Sequence, residues 1–191
     1  MKRLPIERTP EELFATLFQR AAAEPIAWRL TAESLVQAAR ILLPSIEERM
    51  GATLAGEPLS GEPPPTSVYM LLIGLAVENL VKGILVARHV GPTSNGKLAK
   101  DLKSHQLLDL LNRAGIRLDD DQSYLVQRLE VFVVWAGRYP VPGKLDDYLP
   151  RRHETGGWGP LTGFYSSDPA RVDKLIALLV GELNRARGLE N

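Results

Sequence analysis

TSVYMLLIGLAVENLVKGILVARHV, residues 66 to 90, is apolar on nearly every side of a helical wheel. A helix of that kind has to be enclosed, by lipid or by other helices. Its longest apolar run is Tyr69 to Val77, closed off by Glu78, with Lys82 one turn further on. That is well short of the ~20 apolar residues a membrane span needs. The segment reads as the central helix of a soluble bundle with no membrane role, and its neighbours must supply the cover.

Working outward, Thr9-Pro10-Glu11-Glu12 has the form of a helix start. Thr9 is the N-cap, Pro10 occupies the first helical position and Glu12 returns a capping-box bond. Leu13, Phe14, Leu17, Phe18 and Ala21 come next at helical spacing until Pro25 ends the segment. A second start is expected at Thr31, with Leu35, Ala39, Leu42, Leu43 and Ile46 as the apolar face. Pro44 lacks the donor and crowds the preceding turn, so it kinks or splits this helix. Residues 51 to 65, with three glycines and four prolines, read as a surface loop.

Beyond residue 90, Ser104 opens a helix carrying Leu107, Leu108, Leu110 and Leu111 as far as Gly115. Another runs from about Asp119 to Ala136, with aspartates at its positive end and a stripe of Leu125, Leu129, Phe132 and Val133. Asp168-Pro169 caps the last, whose core positions are Val172, Leu175, Ile176, Leu179 and Leu183 before Gly188. No strand-length alternation persists, which predicts an all-α bundle of five to six helices in one domain of 191 residues. Residues 137 to 167 are a long irregular stretch whose aromatics predict that it packs onto the bundle.

Composition excludes several classes of function. Net charge is zero, so no general basic surface advertises nucleic acid and any phosphate site must be local. The absence of cysteine removes disulfide and thiolate chemistry. The opening MKRLPIERTPEEL lacks the apolar stretch of a secretory signal, which leaves a cytoplasmic protein as the expectation. His89, His105 and His153 are scattered, without the spacing of a metal motif, and no phosphate loop, dinucleotide fingerprint or nucleophile elbow is present. No cofactor is expected.

Two places remain for chemistry. Glu78 and Lys82 share one helix face, either as a partly solvated pair or lining a polar cleft. His105, next to Ser104, either orients its helix or joins that cleft. Then VVWAGRYPVPGK, residues 133 to 144, ends an apolar helix on Gly137 and Arg138 and blocks its continuation with Pro140 and Pro142. Gly137 can take the left-handed cap conformation, leaving Arg138 to satisfy unpaired carbonyls. Arg138 beside Tyr139, with Lys144 close by, is also what binding a phosphate or a base requires.

The succession AVENLVKGILVA (76 to 87), SHQLLDLL (104 to 111) and a long apolar helix ending WAGRYPVP (135 to 142) resembles the HEPN superfamily, over residues 66 to 145. The resemblance implies an all-helical up-down core and a homodimer. It also implies RNase activity, or a place in a toxin–antitoxin or defence system with a nucleotidyltransferase-type partner protein. In nuclease members an arginine is followed after four to six residues by a histidine, but Gly143, Lys144 and Leu145 stand after Arg138 at those offsets. No arginine precedes His89, His105 or His153 at the same spacing either. The implication is a non-cleaving member that binds RNA, a nucleotide or a partner through Arg138, Tyr139, Lys144, Glu78, Lys82 and His105. Two alternatives stay open: a metal-independent RNase that recruits His105 or His153 through space, and a purely structural dimer.

Overall fold

The computed structural model describes residues 9–56, 61–94, 96–152 and 158–189, and these form a bundle of six α-helices with almost no strand. His153 lies outside the described residues. Helix α1, Pro10–Ala23, starts as its sequence predicts: Glu12 N donates to Thr9 Oγ1 (3.2 Å), and Thr9 N donates to Glu12 Oε2 (2.9 Å). The chain pauses at Glu24, and Pro25 becomes the first residue of α2, Pro25–Leu54.

That start corrects the expected one at Thr31. The Glu24 carboxylate accepts from Ile26 N (3.2 Å) ahead of a proline suited to a first turn, so the helix forms earlier. The Thr31 and Ser34 hydroxyls bond back to the Ala27 and Leu30 carbonyls, as interior residues do. Pro44 does not split α2. Ala39 and Ile46, both 0% exposed on either side of it, keep one continuous face against α3, and that burial offsets a local cost of ~3 kcal/mol. The helix therefore reaches Leu54, and the first four residues of the expected 51 to 65 loop are helical.

α3, Thr66–Ala87, is the central helix, with fourteen buried residues and contacts to α2, α4, α5 and α6. It has the length and apolarity of a membrane span, but its apolar surface is spent inside the bundle. Two short antiparallel pairings interrupt the helices: β1 (Thr93–Ser94) with β2 (Lys97–Leu98), and β3 (Arg151–Arg152) with β4 (Trp158–Gly159). α4 is Leu107–Arg113, α5 is Asp120–Val131 and α6 is Asp168–Ala186. Ser104 does not cap α4: its Oγ accepts from Gln106 N (3.1 Å) in the turn before the helix. α5 carries a capping box between Asp119 and Gln122 and continues as a π-helical turn over Phe132–Ala136.

Gly137 closes that turn at φ −80, not in the left-handed region expected of it. Glycine is needed there for proximity. An added Cβ would lie 2.7 Å from Leu71 Cβ and 2.8 Å from the Phe132 carbonyl oxygen. The described parts of the 137 to 167 segment do pack on the bundle: Tyr148 meets Trp135 at 6.1 Å between ring centroids, and Phe164 sits edge-on to Tyr69 at 5.6 Å.

Candidate functional site

Three of the sequence-predicted site residues meet. One face of α3 presents Glu78 and Lys82, with side chains 7% and 6% exposed, and Lys82 Nζ donates to Glu78 Oε1 at 2.6 Å. The second carboxylate oxygen, Oε2, lies 2.9 Å from His105 Nδ1. An ionised carboxylate can only accept, so Nδ1 carries a proton and Nε2 is left to the outside. The His105 side chain is 63% exposed. Neither sequence option for the charged pair holds alone: the pair is buried and does not face water, and its outlet is the imidazole. A buried Lys–Glu pair thus holds a solvent-facing histidine in one orientation and one tautomer.

Arg138, Tyr139 and Lys144 do not join this group. Arg138 sits at the exposed end of α5, donates to the Val134 carbonyl of its own helix and lies 5.5 Å from the Tyr139 ring. That bond is the helix-capping one of the two roles considered, and the exposed guanidinium keeps donors for the other. Tyr139 is 58% exposed, and Lys144 is exposed at the start of a short 3₁₀ turn, Leu145–Asp147. Gly137 packs on Leu71, and along α3 Glu78 and Lys82 are about 10 and 16 Å further at ~1.5 Å per residue. The expected common crevice is replaced by two separate groups.

A cleft of about 360 Å³ is lined by chain neighbours of both. Gln106, next to His105, lines one part; Val134, whose carbonyl holds Arg138, lines another, with Trp135 from the π-helical turn beside it. Gln127, Glu130, Asp147 and Arg151 add polar groups, and Glu130 Oε2 also accepts from Leu108 N (3.1 Å) at the start of α4. The cleft is walled by apolar side chains and has acceptors and donors at fixed positions, the composition of a small-ligand site. Among the described residues no group of three or more His, Asp or Glu is placed to hold a metal ion.

Sequence reading missed the most buried charged pair. Arg128 and Asp168 are both 0% exposed and pair bidentately, at 2.7 and 2.6 Å. Arg128 also donates to the Gly163 carbonyl (3.1 Å), and its guanidinium lies between the rings of Tyr124 (5.1 Å) and Tyr165 (4.7 Å). Asp168 is therefore not the exposed N-cap expected; Ser167 takes that position, and the Asp168 carboxylate turns inward and accepts from Tyr165 N (2.8 Å). Arg128 has the spacing of the buried α5 stripe next to Leu129, the one signal available, but a basic residue there reads as the polar edge. This knot fixes the end of the 137 to 167 segment to α5 and α6. Burial first, and then the hydrogen bond with Tyr165, push the pKa of the Tyr124 hydroxyl beside it up to about 12.

Fold and site together define an all-α bundle with a carboxylate-pinned, exposed histidine whose chain neighbour Gln106 lines a polar cleft. Comparison with protein-family models, curated proteins and solved structures finds no match for the chain.

Proposed function

We propose that this chain is a HEPN-like helical protein that binds RNA or a nucleotide at the cleft between His105 and Arg138 without cleaving it. The observation that carries the reading is His105, held at 2.9 Å by a buried carboxylate and presented to solvent, one residue before Gln106 of the cleft lining. A buried ion pair contributes little net stability compared with apolar residues of the same volume. Orienting the imidazole accounts for Glu78 and Lys82 better than stability does.

The lining sorts the ligand's parts. Glu130 and Asp147 repel a phosphate but accept from donors on the edge of a base, while Trp135, Val131 and Val134 offer an apolar wall. The phosphate is assigned to Arg151 of the lining and to Arg138, which bonds the carbonyl of Val134 in the cleft wall, with Tyr139 and Lys144 as further candidates. Cleavage through a ribose 2′-hydroxyl needs a base and an acid acting on the same phosphate. His105 is the one imidazole among the described site residues, which fits binding better than turnover. The resemblance extends this reading to a homodimer working with a nucleotidyltransferase-type partner.

The test is anisotropy of a labelled single-stranded RNA, alongside thermal denaturation and gel analysis of the recovered RNA. Wild type binds and leaves the RNA intact. His105→Ala and Arg138→Ala each weaken binding about ten-fold, the size of one charge-assisted hydrogen bond, with little change in Tm. Equal affinity in all three proteins, or no binding by wild type, overturns the proposal. RNA cleavage abolished by His105→Ala would instead establish the RNase reading.

A further inference from the structure

Helix α1 buries only Ala22 of its fourteen residues. Leu13 (47% exposed), Phe14 (68%), Leu17 (48%) and Phe18 (42%) all face water. Their spacing places them in one continuous strip along the helix. From these fractions the strip exposes about 400 Å² of apolar surface, within the ~300–600 Å² of the largest patch on a typical monomer, which is often functional. Beside it, at the elbow between α1 and α2, lies an apolar depression of about 290 Å³ whose walls include Phe18, Ala21, Ala22, Ala27, Trp28 and Leu98. The protruding Phe14 and the depression are one helical turn apart on the same face.

We propose that a second copy of this chain covers this face about a two-fold axis, with Phe14 of each copy seated in the other's depression. The pairing of protrusion and hollow selects the occupant. A two-fold interface uses the same patch on both partners, so each copy must carry both halves of the contact, and α1 does. The area agrees. The strip supplies about half of the ~800 Å² that each partner contributes to a stable interface, and the hollow's walls together with Leu30 (57% exposed), next to Thr31 on its rim, extend it. A lipid surface fits less well, because an interfacial helix needs a cationic polar side and α1 carries Glu11 and Glu12 against Arg20. This surface is separate from the cleft of α4 and α5; the pairing gives the homodimer of the proposed reading its face, and RNA binding at the cleft is tested apart from it.

Light scattering and sedimentation equilibrium across the micromolar range test it. Wild type is expected at twice 21.1 kDa, Phe14→Glu at the single mass, and Gln19→Glu, on the opposite side of α1, still at twice the mass. Circular dichroism on all three proteins confirms that the fold is kept. The chain has no cysteine, so a Phe14→Cys, Ala21→Cys double variant reports the pairing directly. Two turns of helix hold these positions ~10 Å apart within one chain, beyond the ~7 Å limit for a disulfide, so a covalent dimer that forms in the double variant and in neither single variant reports Phe14 against the partner's hollow. A wild type of single mass throughout overturns the proposal and leaves the face to a different partner. A dimer unaffected by Phe14→Glu places the contact elsewhere and equally overturns it. RNA binding measured on Phe14→Glu should match wild type whatever the mass.

Discussion

Glu78 shows how far one residue's environment differs from its sequence neighbourhood. In sequence it is half of an i,i+4 pair of the kind worth ~0.2–0.5 kcal/mol at a surface. In the fold it is the common acceptor of a buried ammonium and an imidazole 27 residues away. Glu78→Ala therefore strands Lys82 in a nonpolar interior and should cost roughly 3–5 kcal/mol, the range for breaking a buried pair from one side. His105→Ala removes a side chain that is mostly in water and should cost less than ~1 kcal/mol. Urea denaturation of the two variants checks this difference. If the two cost the same, the burial described for Glu78 would be wrong. Arg138 is the opposite case: every partner it has is local, and the sequence already offered helix capping as its role.

Among the elements, α2 carries a local rule overridden by packing. Pro44 stands inside thirty helical residues, exposed, with neither its own donor nor buried contacts in return. Pro44→Ala should restore a backbone bond and remove a clash worth ~3 kcal/mol, less the ~1 kcal/mol of unfolded-chain entropy that proline suppresses. The expected result is a gain of about 1–2 kcal/mol, read as a higher denaturation midpoint with unchanged slope. α1 and α5 show the limits of local legibility. Their caps at Thr9 and Asp119 form as the residues dictate, because both partners of a capping box lie within one turn. The apolar stripe of α1 is as regular as that of α6, yet α6 is covered and α1 is not. Periodicity says which face wants cover and is silent on what provides it.

For the whole molecule, the Arg128–Asp168 knot joins α5, α6 and the segment before α6, and its tyrosines give it a pH signature. Tyr124 is raised from 10.0 to about 12, and Tyr69 is raised as well, by burial first and then by the carboxylates of Asp173 and Asp168. A phenol whose pKa is higher in the folded state holds its proton better when folded. Its contribution is whole below about pH 10, shrinks as the unfolded chain begins to ionise, and is lost as pH rises through about 12. Stability measured in denaturant should fall steeply from about pH 10 upward, and Tyr124→Phe should flatten that fall; an unchanged slope would mean the hydroxyl is not held in the knot. The amino-acid sequence by itself determined the helical class, the central place of residues 66 to 87, two of the helix starts and the pairing of Glu78 with Lys82. Each of these rests on interactions within a turn or two of chain, or on an apolar surface too large to leave in water. Only the tertiary structure decided that Arg128 meets Asp168, that His105 reaches Glu78, that Arg138 stands apart from both and that α1 is bare. Those outcomes depend on which helix faces come together, and side chains many residues apart meet only once the bundle has packed.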